Sequence, residues 1–158
     1  MIDSHTSLFG LFGNPVAHSL SPVMHNQAFA AVGYNGVYLA FRITDLDSAV
    51  KSIKALNFKG VSITIPHKIA IMDHLDEVDT TAATIGAVNT IVNQKGKLIG
   101  YNTDCHGALK ALKTKTTIDG KSVAIIGAGG AARAIGFGLV SAGGCVTILN
   151  RSRANGER

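Results

Sequence analysis

Residues 123–151 read VAIIGAGGAARAIGFGLVSAGGCVTILNR, and this stretch decides the fold class. An apolar, β-branched run at 122–126 stops at Gly127, a small-residue helical segment covers about 131–142, and a second apolar run covers 145–149. Between the first run and the helix lies Gly127-x-Gly129-x-x-Ala132, the spacing of a dinucleotide-binding turn inside a βαβ unit. Gly127 permits the tight turn, Gly129 lets the backbone approach a pyrophosphate, and Ala132 keeps helix close to strand. Unpaired N–H groups at the helix start, aided by its dipole, then face phosphate oxygens. The competing reading is a tight turn without a ligand.

The end of the second strand speaks to the choice of dinucleotide. A carboxylate there would hold the ribose 2′-hydroxyl of NAD. This chain has Asn150-Arg151-Ser152-Arg153 and no acid. A guanidinium pairs with a 2′-phosphate that a carboxylate would repel. NADP is therefore expected over NAD, with a solvated surface arginine pair as the alternative.

Composition sets the outer bounds. The chain has 158 residues, 46% apolar and 16% charged, which excludes a disordered polymer and suffices for a real core. Its 18 glycines show no collagen-like period and call for local turns or ligand loops. Charge is lopsided: residues 1–104 carry seven basic and eight acidic side chains, residues 105–158 eight and two. The basic third has one aromatic, Phe137, and no basic run, so a small anionic ligand is expected and nucleic acid is not. Cys105 and Cys145 form no C-x-x-C pair and the histidines have no chelating spacing, so reduced thiols and no metal are expected, as in a cytoplasmic protein. The N-terminus lacks the pattern of a signal peptide, and the charge-poor run 122–150 is broken by Arg133 and glycines, so no membrane span is expected.

Upstream, strands are expected at 8–13, 36–41, 60–65, 87–92 and 97–99, the last two joined at Gln94-Lys95-Gly96. Helices are expected from Ser21-Pro22 to about Val32, from Asp45, from Pro66 through Leu75, and from a Thr103 cap. The alternation predicts an α/β fold: an N-terminal α/β substrate domain with a mostly parallel sheet, then the start of a Rossmann dinucleotide-binding domain. The threonine-rich stretch 113–119 places the boundary near 115, giving domains 1–115 and 116–158.

Polar residues cluster where strands give way to loops, the usual ligand edge of open α/β sheets. Lys68 is expected in the first turn of a helix, where a cation is destabilised and suited to proton transfer; a surface lysine is the plain alternative. Asp104 opens a helix, which its charge alone would explain. Ser21 reads as an N-cap, whereas Ser19 has no capping duty, and together their hydroxyls suit a carboxylate. Asn89 lies in an apolar strand and needs a partner.

In order along the chain stand GNPVAHSLSP with His25-Asn26, SITIPHK, GAVNT, GYNTD and GAGGAAR followed by NRS. Together these resemble the shikimate dehydrogenase family from Gly13 to Ser152. The resemblance implies reversible NADPH-dependent reduction of 3-dehydroshikimate to shikimate in aromatic biosynthesis. It implies that Ser19 and Ser21 bind the substrate carboxylate, and that Thr64, Asn89 and Asp104 bind its hydroxyls. Lys68, paired with Asp104, passes the proton. Gly127, Ala128, Gly129, Gly130 and Ala131 cradle the pyrophosphate, and Asn150, Arg151 and Ser152 hold the 2′-phosphate. Ser62 departs from the family, where Asn is common, and Asn155, between Arg153 and Arg158, departs from a second basic position. Only one βαβ unit follows residue 115, so a C-terminally truncated chain is expected, inactive alone. An NAD-using quinate/shikimate dehydrogenase and a non-catalytic shikimate-binding fragment remain as rival readings. A small-molecule substrate is the expected partner, and a homodimer is left open.

Overall fold

A computed structural model describes residues 2–157, the side chain of Asn155 aside. By contacts the chain forms two compact units, Met1–Asp79 with Val88–Tyr101, and Thr80–Ala87 with Asn102–Arg158.

The first unit is built on a six-stranded sheet of β1 (Ser7–Gly13), β2 (Gly36–Arg42), β3 (Gly60–Ile63), β4 (Glu77–Val78), β5 (Thr90–Gln94) and β6 (Lys97–Tyr101). The spatial order is β2-β1-β3-β5-β6-β4. β1 runs parallel to β2 and β3, and β4 to β6, while β5 is antiparallel to both its neighbours. The β5–β6 hairpin turns on Lys95 and Gly96, with φ of 54° and 93°, the conformation whose twist matches the strands. Between β1 and β2 runs α1 (Ser21–Ala31), and between β2 and β3 runs α2 (Leu46–Ala55).

Local chemistry explains these elements. Asp45 caps α2 by accepting from Ser48 N at 3.3 Å, and the helix buries Ala49, Val50 and Ile53. Beside them Phe12, Phe41 and Phe58 pack edge to face, centroids 5.6–5.7 Å apart. Asn26 fastens α1 to the sheet: its Nδ2 donates to Pro22 O and Tyr38 O, both at 2.8 Å, and its Oδ1 accepts from Tyr38 N at 2.9 Å.

Several expectations change. The helix expected from Pro66 is a run of turns followed by a 3-10 helix at Ala70–His74. An α-helix would use Lys68 O for Met72 N. Instead Lys68 O accepts from Val88 N at 2.8 Å and Met72 N turns to Ile69 O. The dipole argument for Lys68 falls with that helix. Ser21 is the first residue of α1, not its cap, and Ser19 Oγ accepts from Ser21 N at 3.2 Å, so Ser19 does have a local duty. Residues 87–89 precede β5, so Asn89 stands at a strand entrance. β4 and α3 (Thr80–Ile85) lack any apolar period and were not expected.

The second unit contains α3, α4 (Asp104–Lys113), β7 (Ser122–Ile126), α5 (Gly130–Ser141), β8 (Cys145–Leu149) and α6 (Arg153–Gly156). β7 and β8 pair in parallel. Thr103 makes no side-chain cap for α4; Asn102 does, through Oδ1 to Asp104 N at 3.0 Å. α4 rests on α5 at Gly138, where a Cβ would stand 2.8 Å from Cys105 Sγ and 3.1 Å from Leu109 Cδ1. By this packing α4 goes with the second unit, although the threonine-rich stretch after it suggested a boundary near 115. β7 and β8 were expected to be buried, but β7 alternates between exposed and half-buried, with Ile126 88% exposed, and β8 is exposed except at half-buried Val146. A parallel pair is fully buried only when both faces are covered. Among the described residues no helix is long and apolar enough to cross a membrane.

Asn26→Ala removes three bonds to half-buried backbone groups. It should cost about 2 kcal/mol in urea denaturation; an unchanged midpoint would mean that water replaces the clamp.

Candidate functional site

Two groups of sequence-expected residues occupy two places, one in each unit. In the first unit the exits of β1 and β3 are laced together. Thr64 N donates to Phe12 O at 2.9 Å, and Asn14 N to Ile65 O at 2.8 Å. Gly13 makes this possible, since a Cβ there would overlap Thr64 Cγ2 and stand 3.0 Å from Ile65 O. The loop carrying Ser19 and the turn carrying Thr64 and Lys68 are thereby fixed to adjacent strands.

Ser19 Oγ donates to Ser21 Oγ at 3.2 Å, so the two half-buried hydroxyls form one pair. A hollow of about 620 Å³ opens beside them, lined by Asn14, Val16, Ser19, Pro22 and Arg42. Arg42 Nε donates to Asn14 Oδ1 at 3.2 Å and brings a positive charge to this edge, one that carried no motif in the sequence. Asn89 is anchored on three sides: its N donates to Tyr101 O at 3.0 Å, its O accepts from Ile63 N at 2.7 Å, and its Oδ1 accepts from Thr90 Oγ1 at 2.8 Å. Thr64 and Lys68 are half-buried, so both side chains combine a fixed backbone with access.

Ser62 and Thr90 line a second, mainly apolar hollow of about 320 Å³ with His25, Phe29 and Tyr38. The His25 ring stacks on Tyr38 at 4.3 Å and 16°. Burial pushes the Tyr38 phenol up from its ordinary pKa, and the nearby Ser62 hydroxyl offsets part of that rise.

In the second unit the glycine loop stands as the sequence implies. Gly127 has φ +105°, a region closed to most side chains, and its N donates to Leu149 O at 2.8 Å. Gly129 is the N-cap of α5 and offers no side chain to its amides. A Cβ at Gly127 or Gly129 would meet nothing within 4 Å, so the backbone is open at these two positions, where Gly127, Ala128 and Gly129 lead into the first residues of α5, Gly130 and Ala131. These residues fit a pyrophosphate. After β8, Asn150 Nδ2 donates to Ser152 O at 2.8 Å, shaping the turn, while Arg151 and Ser152 are exposed. Arg153 pairs with Glu157 at 2.6 Å; Arg158 lies outside the described residues. Asp104, half-buried, begins α4 of this unit. Among the described residues no cluster of three or more His, Cys, Asp or Glu could hold a metal ion.

Residues 11–91 match the family described as shikimate dehydrogenase substrate binding domain. This chain belongs to that family. A relative named shikimate dehydrogenase (NADP(+)), from Moorella thermoacetica, is 53% identical over 156 residues, covering 96% of this chain and 52% of its own length. Among solved structures, shikimate dehydrogenase from Aquifex aeolicus superposes with TM-score 0.94 at 46% identity, covering 98% of this chain and 59% of that one. Shikimate 5-dehydrogenase from Thermus thermophilus, solved with NADP(H) and shikimate, superposes with TM-score 0.89 at 41% identity, covering 96% and 59%. The chain spans about half the length of the curated relatives it matches.

Gly13→Ala forces the exits of β1 and β3 apart. It should destabilise the first unit by about 1–3 kcal/mol, read by chemical denaturation. A fully stable variant would show that Thr64 swings aside without cost.

Proposed function

We propose that this chain supplies the substrate-binding part, and the first βαβ unit of the dinucleotide-binding part, of an NADP-dependent shikimate dehydrogenase, which reversibly reduces 3-dehydroshikimate to shikimate. The observation that carries the reading is the joint presence of the family's substrate-binding region at 11–91 and an open glycine loop at the start of α5.

The roles are those that the resemblance to the family implies, and the chemistry of the side chains suits them. The Ser19 and Ser21 hydroxyls lie side by side, and turned outward from one another both can donate to a carboxylate. Thr64, Asn89 and Asp104 offer donors and acceptors for ring hydroxyls. Lys68 carries the proton to the carbonyl oxygen as it becomes a hydroxyl, and takes it back in the reverse direction, with Asp104 as its acid–base partner. NADPH, when bound, supplies the hydride. Residues 127–131 hold its pyrophosphate, and Asn150, Arg151 and Ser152 receive the 2′-phosphate. The candidacy of Lys68 rests on its half-buried place four residues after Thr64, with its backbone fixed by Val88 N.

Two measurements test the reading in a form of the protein that turns over shikimate. Lys68→Ala should lower NADP-linked oxidation of shikimate about 100-fold or more, with a change of no more than about threefold in substrate affinity. Turnover near that of the unaltered protein would remove Lys68 from the acid–base role. NADP should be preferred to NAD, and Arg151→Ala should shrink that preference about tenfold, the worth of one charge-assisted contact. A preference for NAD in the unaltered protein would count against Arg151 as a phosphate ligand.

A further inference from the structure

α4 opens at Asp104 without help from its N-cap side chain, Thr103. The missing cap comes from one residue further back. Asn102 Oδ1 accepts from Asp104 N at 3.0 Å and, more weakly, from Cys105 N at 3.4 Å. At its other end Asn102 Nδ2 donates to Ala87 O at 2.9 Å. One half-buried amide therefore spans the first turn of α4 and the segment that follows α3.

Apolar packing closes the same ring. Ile85, Ala87 and Ala134 form a buried cluster, and Cys105 packs against it with Phe137. Gly138 admits Cys105 Sγ and Leu109 from the side of α5. The residue beside Asp104 is thus gripped by its side chain and by its amide together. Capping alone requires only an oxygen, which Ser, Thr or Asp would supply. The second bond requires a donor as well, and the asparagine amide carries donor and acceptor on separate atoms, whereas a hydroxyl would have to serve both partners from one oxygen.

We propose that Asn102 is a positioning residue for Asp104: by tying the start of α4 to Ala87 it fixes the direction in which the Asp104 carboxylate leaves the helix. A side chain in the first turn follows its backbone, so a cap that is also strapped sideways sets the carboxylate's place as well as the helix's stability. This inference rests on the reading of Asp104 as a substrate ligand.

The test is a double-mutant cycle on shikimate binding to the full 158-residue chain, measured by titration calorimetry. Asn102→Ala should weaken shikimate about tenfold when Asp104 is present and less than about twofold in an Asp104→Asn background, since a residue acting through Asp104 has nothing left to position. Asn102→Ser keeps a capping oxygen and loses the strap, which also covers the case in which Asn102→Ala fails to fold. It should retain most of the thermal stability and still bind shikimate several-fold more weakly. Two outcomes would overturn the proposal alone: independent, multiplicative losses in the cycle, or a Ser variant that binds as tightly as the unaltered chain. Unchanged affinity in Asp104→Asn itself would overturn the reading of Asp104 and the proposal with it.

Discussion

The close approach at Gly13 is the constraint on which the first unit's binding edge depends. With no Cβ in the way, the end of β1 lies against Thr64 and Ile65 closely enough for backbone groups on both sides to pair. Two loops that leave neighbouring parallel strands would otherwise be free to diverge. Here the Asn14 and Ile65 backbones are bonded, so the Ser19–Ser21 pair and the Thr64–Lys68 turn inherit a common frame. The sheet beneath is held by Phe12, Phe41 and Phe58 on one side and by the Asn26 clamp and α1 on the other. Rigid strands with short, laced exits allow small polar side chains to act as ligands without long reach.

Glycine serves differently in the second unit. Gly127 and Gly129 leave open space, which suits a phosphate, whereas Gly138 is filled by a neighbouring helix. The three belong to one continuous stretch, so the same lack of side chains leaves an open loop at one end of α5 and makes a helix contact at the other. The +6 net charge of residues 105–158 comes to the same unit, with Arg151 exposed after β8.

Elements with a strong local signature were legible in the sequence. The βαβ unit around GAGGAAR lies within about one residue of its expected limits, and so do β1, β2 and α2, because apolar period, glycine stops and an Asp cap all agree there. What failed was whatever tertiary partners decided. The Lys68 segment has helix-like spacing, but Val88 takes the carbonyl that a helix would need. Thr103 and Ser21 look like caps, yet Asn102 and Ser19 accept the bonds, one or two residues earlier than composition suggests. The motifs that named the candidate residues are contiguous in sequence and could be read. The Arg42–Asn14 bond and the Asn102 strap join residues 28 and 15 positions apart and left no local trace.

The division of the chain has a consequence for how such a protein can be taken apart. The second unit is assembled from two stretches, since α3 and the turn after it arise from within the run of the first unit and the rest begins at Asn102. No single cut therefore separates the two. A fragment beginning at Asn102 would lose the Ala87 carbonyl and the Ile85–Ala87 packing on which α4 and α5 rest. Recombination that swapped the second unit as a simple cassette would have to carry α3 and the turn after it along, or rebuild their contacts.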